Sequence, residues 1–229
     1  MSNVNRGIAR YLLLVSIFVL IFAACLFVSS GHPDWVMGWV FIAIVTASHI
    51  CTTLILMISN PELMGERAEI KGKRDLDRIL ASIMALYGPA SMCIVAGLNM
   101  RFGWLPQIPL MLQIAGIVIA ILGSMLTIWA MASNRFFYGV LRIAQGKNHT
   151  VCASGPYQYV RHPGYLGVIL FDLTTPLMLN SAWALIPAML TICAIVVRTA
   201  LEDKILQSRL GGYKDYAQQV RYRLLPIVW

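Results

Sequence analysis

Long stretches without a charged residue alternate with short polar segments along this chain. A helix needs about 20 residues to cross a hydrocarbon core about 30 Å thick. Three uncharged runs each predict one membrane-spanning helix: 11–30, 35–58 and 79–100. A fourth uncharged run, 102–134, is longer than one span, and Pro106 and Pro109 near its start place the predicted crossing at 110–132.

The last apolar run, 165–197, contains one ionisable residue, Asp172, and a polar break at Asn180 and Ser181. It fits either one long helix or a hairpin of two short helices. Each arm of a hairpin would have about 16 residues and span roughly 24 Å. Such arms are short for a full crossing, so they would require a locally thinned bilayer or tilting.

The distribution of basic residues favours the hairpin, because Lys and Arg collect in short loops on the cytoplasmic side of a membrane. With a cytoplasmic N-terminus and a hairpin, every Lys and Arg except Arg101 falls on the inner side. We therefore predict that both termini are cytoplasmic. A single final crossing would instead send the basic residues of the tail outside: Arg198, Lys204, Arg209, Lys214, Arg221 and Arg223.

The composition is that of a membrane protein. Of the 229 residues, 59% are hydrophobic and 12% are charged, against about 45–50% and about 25% in soluble domains. The net charge is +8, but the basic residues lie between apolar blocks, which suits an anionic membrane surface better than nucleic acid. We predict an all-α polytopic membrane helical bundle with about four transmembrane helices plus a C-terminal helical hairpin, forming a single membrane domain over 1–229.

The polar residues available for chemistry lie on one side of the predicted membrane, in 59–78, 133–164 and the tail from Arg198. The five cysteines form no CxxC pair, so neither a disulfide framework nor a metal site is predicted. Inside the predicted spans, the ionisable residues are His49 and Asp172. They fit either a functional path through the membrane or hydrogen-bonded polar groups near threonines.

The segment 149–167 combines Gly, Pro, His, Arg and Tyr immediately before a hydrophobic helix. Glycines let a backbone approach a ligand closely, and tyrosine rings offer faces for a flat ring or a cation. The same composition fits an interfacial aromatic belt in which Arg161 snorkels to the surface. The tyrosines concerned are Tyr157, Tyr159 and Tyr165.

Further along the chain, Arg198 and Glu202 are one helical turn apart. This spacing suits either a simple ion pair or a site for a cationic donor and an anionic acceptor.

Several motifs stand together in the second half of the chain. They are Gly-Pro-Tyr-x-Tyr-Val-Arg-His-Pro-Gly-Tyr-Leu-Gly at 155–167, Arg-x-x-x-Glu-Asp at 198–203, Tyr-Lys-Asp-Tyr at 213–216, and the stretch 220–226. Together they resemble the isoprenylcysteine carboxyl methyltransferase family of integral membrane enzymes. The resemblance implies N-terminal transmembrane helices over 1–132 and a catalytic region over 133–226. Residues 60–63 also resemble a loop of bacterial members, which implies a bacterial cell (inner) membrane.

The resemblance implies that S-adenosyl-L-methionine binds on the cytoplasmic side, between the loop and the tail. Arg198 matches the arginine associated with the substrate carboxylate. Asp203 departs from the Glu-Glu pair common in the family, so we assign it no role. The implied partners are membrane lipid and a lipophilic small-molecule or prenylated substrate, without metal or nucleic acid. The residues at cofactor-binding positions are His149, Thr150, Val151, Cys152, Tyr157, His162, Pro163, Gly164, Tyr165 and Glu202.

The implied reaction is consistent with these side chains. Aromatic faces and a carboxylate stabilise a sulfonium cation, and an in-line displacement depends mainly on positioning. A carboxylate acceptor with a reference pKa near 3.5 is ionised at neutral pH, so it needs no general base, and Arg198 can hold it. An amine acceptor would need a base, which His162 or Glu202 would have to supply.

Three other functions share some of these features. Sterol-type membrane reductases that use NADPH resemble the Arg-His-Pro-x-Tyr element and the end of the tail, but they place an acid where this chain has Val168. Phospholipid amine N-methyltransferases would keep the cofactor and change the acceptor, and Arg198 favours an acid over an amine. A transporter or scaffold is disfavoured by the one-sided polar segments and the shortage of intramembrane charge.

Overall fold

The computed structural model describes residues 3–59, 64, 75–104, 106–137 and 150–229. In these ranges the regular structure is helical, which confirms the predicted fold class. We number the α-helices in chain order. They are α1 (Asn3–Ser30), α2 (Val36–Ser59), α3 (Asp75–Ser82), α4 (Gly88–Phe102), α5 (Leu110–Ser133), α6 (Pro163–Met178), α7 (Leu185–Arg209) and α8 (Tyr213–Gln219).

Within the described residues, five helical segments are long and apolar enough to cross a membrane. Large apolar side chains such as Leu20, Met111 and Leu190 are exposed on their outer faces, as expected for surfaces that contact lipid tails. The protein is therefore a multi-pass membrane protein. The five segments are Asn5–Ser30, Val36–Ile58, Leu76–Phe102, Leu110–Ser133 and Ala182–Arg209.

The third span begins about one turn earlier than the sequence predicted, because α3 and α4 belong to one continuous helical rod. A π-helical turn, Ile83–Tyr87, joins them, and the Gly88 N–H donates to the carbonyl of Ile83, five residues back. Pro89 follows directly and lacks the N–H that an α-helical ladder requires. The wider turn accommodates this interruption within the rod.

The last apolar run forms the predicted hairpin. The 16 residues of α6 and the 25 residues of α7 are joined by a turn at the predicted polar break. Asn180 adopts a left-handed backbone conformation there (φ 53°). Its side-chain Oδ1 accepts the Ile108 N–H at 2.6 Å, and its carbonyl accepts a hydrogen bond from Asn99 at 3.1 Å. The turn is thus fixed to the loop between α4 and α5.

Helix α7 extends twelve residues past the apolar run, to Arg209. The sequence analysis treated the residues from Arg198 onward as a tail, whereas the structure makes Arg198, Glu202 and Asp203 part of the same helix as the membrane-spanning arm. This arm therefore carries charged residues directly from the membrane to the polar end of the bundle.

Helices α5 and α6 pack closely through small residues. A Cβ atom added to Gly123 on α5 would lie 2.7 Å from the carbonyl oxygen of Gly167 on α6, so the two backbones approach to a distance that only glycine permits. The Thr127 hydroxyl, on the same face of α5, contacts the carbonyl of Gly164 at 3.3 Å. This contact holds the start of α6 against the end of α5, where the polar cavity lies.

Candidate active site

A cavity of about 290 Å³ lies where the end of α5, the start of α6 and the last turns of α7 meet. The segment 150–162 and helix α8 also contribute to its wall, as do α3 and the π-helical turn. The described side chains in its wall are Ala81, Met84, Ala85, Thr127, Met131, Asn134, Phe136, Phe137, Thr150, Val151, Cys152, Tyr157, Arg161, His162, Gly164, Tyr165, Val168, Arg198, Glu202, Leu206, Tyr213 and Tyr216.

Asp203 is the centre of a buried polar network behind this cavity. Its side chain is fully buried and accepts hydrogen bonds from Arg161 Nε at 2.8 Å, Arg161 Nη2 at 3.2 Å and Arg223 Nε at 3.0 Å. The Tyr213 hydroxyl and the Gln207 amide add hydrogen bonds of 3.1 and 2.8 Å. Two guanidinium groups thus neutralise one buried carboxylate, which satisfies both oxygens.

The same network ties the loop and the C-terminal segment to α7. The backbone N–H groups of Arg161 and His162 donate to the carbonyls of Tyr222 and Arg223, each at 2.9 Å. Arg161 Nη1 also donates to the carbonyls of Val220 and Arg221, each at 3.0 Å. Arg161 is therefore a buried structural residue, so the interpretation of a snorkelling arginine is wrong.

Tyr165 and Glu202 form the polar part of the cavity wall. The Tyr165 hydroxyl donates to Glu202 Oε2 at 2.6 Å, and the imidazole of His162 stacks on the Tyr165 ring at 5.9 Å between centroids. The guanidinium of Arg198 lies 5.7 Å from the centroid of the same ring. One tyrosine thus contacts the acid, the imidazole and the arginine that the motifs singled out.

Arg198 has a partner that the sequence analysis did not predict. Its Nε donates to Asp77 Oδ1 at 3.0 Å, and both side chains are buried. Asp77 belongs to α3, far away in sequence, and nothing in its local pattern distinguished it from other acidic residues of the polar segment. The pair thus fixes the Arg198 guanidinium in the wall of this cavity.

Three further tyrosines support the cavity. The Tyr216 hydroxyl donates to the carbonyl of Tyr157 at 2.7 Å, and the Asn134 amide donates to the Tyr157 hydroxyl at 3.3 Å. Burial raises the pKa of Tyr157, Tyr213 and Tyr216 above the usual phenol range. A phenol is protonated at neutral pH, so the Tyr213 and Tyr216 hydroxyl groups donate hydrogen bonds, whereas the Tyr157 hydroxyl accepts one.

The structure brings most of the predicted site residues to this one cavity. Pro163 begins α6 and is buried, but it lies outside the cavity wall. Tyr159, considered as an aromatic face, is exposed and also lies outside the wall. His149 and the loop 60–63 lie outside the described residues. The predicted residues in the wall are Thr150, Val151, Cys152, Tyr157, His162, Gly164, Tyr165, Arg198 and Glu202.

Sequence reasoning missed the walls contributed by other helices. The segment directly after α5 supplies Asn134, Phe136 and Phe137, and a Cβ added to Gly164 would lie 2.6 Å from the Phe137 ring. The rod of α3 and the π-helical turn supplies Ala81, Met84 and Ala85. These apolar residues resemble any other lipid-facing or core residue in sequence, so only the fold identifies them. Tyr213 and Tyr216 were visible as a motif but had no assigned role.

A second cavity, of about 540 Å³, lies next to the first and inside the helical bundle. Its wall is mainly apolar, and it includes both intramembrane ionisable residues, His49 and Asp172. Six residues line both cavities, which shows that the cavities are adjacent. They are Ala81, Met84, Ala85, Thr127, Met131 and Val168.

Fold and site together define a polytopic helical membrane protein with a ligand cavity at the polar end of its bundle. Residues 115–208 match the model of the isoprenylcysteine carboxyl methyltransferase (ICMT) family. The match agrees with the resemblance drawn from the motifs and spans α6, most of α5 and nearly all of α7.

Named proteins and one solved structure are also similar to this chain. Protein-S-isoprenylcysteine O-methyltransferase B of Arabidopsis thaliana is 31% identical over 108 residues, which cover 46% of this chain and 55% of the relative. The protein-S-isoprenylcysteine O-methyltransferase of Rattus norvegicus is 23% identical over 206 residues, covering 87% of this chain and 69% of the relative. The chain therefore matches little more than half of the length of the plant relative.

The structure of a eukaryotic intramembrane Ras methyltransferase, ICMT, has a similar fold. The match has a TM-score of 0.56 at 18% identity, and it covers 91% of this chain and 73% of the other. This comparison supports the helical architecture.

Proposed function

We propose that this protein is an S-adenosyl-L-methionine-dependent methyltransferase that methylates the carboxylate of an isoprenylcysteine-like or other lipophilic acid. The observation that carries the proposal is the junction of the two cavities. A polar cavity with Tyr165, Glu202 and Arg198 in its wall opens onto an apolar cavity within the membrane. A polar donor and a lipophilic acceptor would meet at this junction.

The polar cavity suits the proposed cofactor. Its volume is close to the lower end of the range for small-molecule sites, about 300–1,000 Å³. The Phe137 ring packs directly against Gly164, where a Cβ would lie 2.6 Å from it. The ring also lines the cavity, so it offers an aromatic face on which an adenine ring would stack. The cofactor supplies a methyl group on a sulfonium cation, and Glu202 with the Tyr165 ring would stabilise that positive charge.

The acceptor would be held at the membrane side of the cavity. Arg198 lies in the wall of the polar cavity, where its Nε contacts Asp77, and a guanidinium binds a carboxylate by charge-assisted hydrogen bonds. A carboxylate bound to Arg198 would lie beside Tyr165, because the guanidinium is 5.7 Å from that ring. Since the carboxylate is already ionised, these residues need to position it and to exclude water, and none has to remove a proton.

The orientation follows from the same proposal. The site lies at the end of the bundle that holds the basic residues of the last turns of α7 and of α8, so we place it on the cytoplasmic side of a bacterial inner membrane. We treat residues 1–229 as one membrane domain, in which the helices of 1–132 supply the lipid-facing walls and 133–226 supply the catalytic region.

The test is transfer of a labelled methyl group from S-adenosylmethionine by the protein in lipid nanodiscs. Prenylcysteine acids should become labelled, whereas their carboxamides and lipid amines should not. Labelling of the amines alone would overturn the assignment of a carboxylate acceptor. Absence of transfer to every acceptor, in protein that still binds the cofactor product, would overturn the proposed substrate class.

The substitution Arg198→Ala separates the roles of the two cavities. A hydrogen bond to a charged group contributes about 1.5–3 kcal/mol, so loss of the guanidinium should lower kcat/KM by about 10- to 100-fold. Binding of S-adenosylhomocysteine should persist, as measured by calorimetry. Arg209→Ala is the matched control, because Arg209 is exposed in the last turn of the same helix. Equal activity of both variants would remove Arg198 from the acceptor site.

A further inference from the structure

One face of α6 connects the two cavities. Tyr165, Val168 and Asp172 are spaced three and four residues apart, so they lie on the same side of the helix. We call the second, mainly apolar cavity of about 540 Å³ the membrane cavity. Tyr165 lines the polar cavity, Val168 lines both cavities, and Asp172 lines the membrane cavity. A molecule that extends from the proposed methyl-transfer point into the membrane cavity would follow this face.

Asp172 is a polar group without a complete set of partners. It is 3% exposed, and its Oδ2 atom has no hydrogen-bond partner within the part of the chain that the structure describes. A buried acceptor that lacks a partner costs free energy, and a carboxyl group at membrane depth is costly unless it has a function. The Asp172 side chain is thus poised to accept a hydrogen bond from a bound molecule.

The nearest polar side chains on α5 do not meet this need. The hydroxyl groups of Ser124 and Thr127, which also line the membrane cavity, donate to the backbone carbonyls of Ala120 and Gly123 at 2.9 and 3.1 Å. The other side chains of the wall that carry a hydroxyl group or an imidazole are Tyr11, Ser48, His49, Thr52, Ser82 and Tyr87. The cavity is otherwise lined by aliphatic, aromatic and methionine side chains, which suit a lipid tail.

We propose that the membrane cavity binds the apolar body of the methyl acceptor and that Asp172 accepts a hydrogen bond from a hydroxyl or amino group on it. This inference rests on the proposed function and specifies its substrate class. Seven residues separate Tyr165 from Asp172, which corresponds to about 10 Å along a helix. The donor group of the acceptor therefore lies about 10 Å from the carboxylate that is methylated. An unsubstituted hydrocarbon tail would leave Asp172 unpaired.

A matched series of acceptors tests this inference. The series contains lipophilic carboxylic acids of one length that carry a hydroxyl, an amino, a methyl ether or no group at the stated distance. With the wild-type protein, the hydroxyl or amino acid should have a KM about tenfold lower than the ether and the unsubstituted acid, because only the former donate a hydrogen bond. The comparison of the hydroxyl and amino acids identifies the donor.

Variants at Asp172 assign the preference to this residue. Asp172→Leu should abolish the difference in KM, and Asp172→Asn, which keeps a carbonyl acceptor, should preserve a preference for the hydroxyl. Leu173→Ala is the control, since Leu173 is an exposed neighbour on α6, and it should leave the preference unchanged. Binding of S-adenosylhomocysteine and the melting temperature report whether each variant is folded.

The outcomes separate this inference from the proposed function. Equal KM values across the series in the wild-type protein, or a preference that Asp172→Leu retains, would overturn the role of Asp172 while methyl transfer stands. If no acid of the series is methylated by folded wild-type protein, the proposed function fails and the inference fails with it.

Discussion

At the scale of single residues, two buried acids hold the cationic side chains of the site. Asp203 forms ion pairs with Arg161 and Arg223 behind the polar cavity, and Asp77 holds Arg198 in the cavity wall. Removing one partner from such a pair leaves an uncompensated buried charge, which is far more costly than the loss of an exposed pair. The two acids therefore have different roles: Asp203 stabilises the packing of the loop and the C-terminal segment on α7, and Asp77 sets the position of Arg198.

The substitution Asp203→Asn should destabilise the protein by about 3–5 kcal/mol, because the buried Arg161 would lose its counter-charge and Arg223 would lose its ion pair. The melting temperature in detergent should fall, and S-adenosylhomocysteine binding should weaken as the loop separates from α7. Asp203→Glu, which keeps the charge, should retain more stability than the amide variant. Asp215→Asn on the exposed side of α8 is the control, and an equal melting temperature for Asp203→Asn and this control would refute the role.

The motifs predicted which residues share one cavity better than they predicted the hydrogen-bond and ion-pair partners of those residues. Tyr165, Glu202 and Arg198 stand in regular positions within helices, so their proximity follows once α6 and α7 form a hairpin. Asp203 was set aside because it departs from a family pattern, although its position next to Glu202 places it on a different face of α7. The pairing with Arg161 and Arg223 depends on how the C-terminal segment folds back, which no local pattern encodes.

At the scale of elements, the hairpin of α6 and α7 carries the site, and its position depends on close contact between α5 and α6. Gly123 and Gly167 allow this contact. In lipid, such helix pairs are stabilised by van der Waals packing of small residues, because no hydrophobic driving force acts between apolar helices. A shift of α6 away from α5 would move Gly164 and Tyr165 at its first turn, and so would distort the cavity.

Gly167→Ala tests this coupling. The added methyl group would collide with backbone and side-chain atoms of α5, and overpacking of this kind costs about 1–3 kcal/mol. We expect a lower melting temperature and weaker S-adenosylhomocysteine binding, although Gly167 does not line the polar cavity. Gly211→Ala is the control, since nothing lies within 4 Å of a Cβ at that position. Identical melting and binding in both variants would contradict the coupling.

Sequence patterns predicted the helices well and their ends less well. Uncharged runs located the spans, and the basic tail together with the break at Asn180 and Ser181 predicted the hairpin. The early start at Asp75 and the extension of α7 to Arg209 were not predicted, because polar residues at helix ends carry no hydropathy signal. Those extensions are stabilised by long-range contacts such as the pair of Arg198 with Asp77.

At the scale of the whole molecule, the polar site and the turn of the hairpin lie at opposite ends of the bundle. Arg101 lies at the same end of the bundle as the turn, near Gly31 and the aromatic cluster of Phe102, Trp104 and Trp183. The basic residues of α7 and α8 lie at the other end. This asymmetry is the basis for placing the site on the cytoplasmic side.

Labelling with a membrane-impermeant maleimide in intact cells tests this orientation. A cysteine introduced by Lys214→Cys should be labelled only after the cells are permeabilised, and one introduced by His32→Cys should be labelled in intact cells. The unaltered protein, with its five native cysteines, gives the background. The reverse pattern of labelling would place the site outside and contradict the proposed orientation.

The central claim is that the polar cavity binds S-adenosylmethionine, and calorimetric titration of the purified protein with S-adenosylhomocysteine tests it most directly. We expect saturable binding to the wild-type protein and to Tyr159→Phe, which alters an exposed tyrosine outside the cavity. Binding should be lost in Glu202→Ala and in Tyr165→Ala, and NADPH should not bind. Binding of NADPH in place of S-adenosylhomocysteine, or unaltered affinity in both cavity variants, would contradict the account.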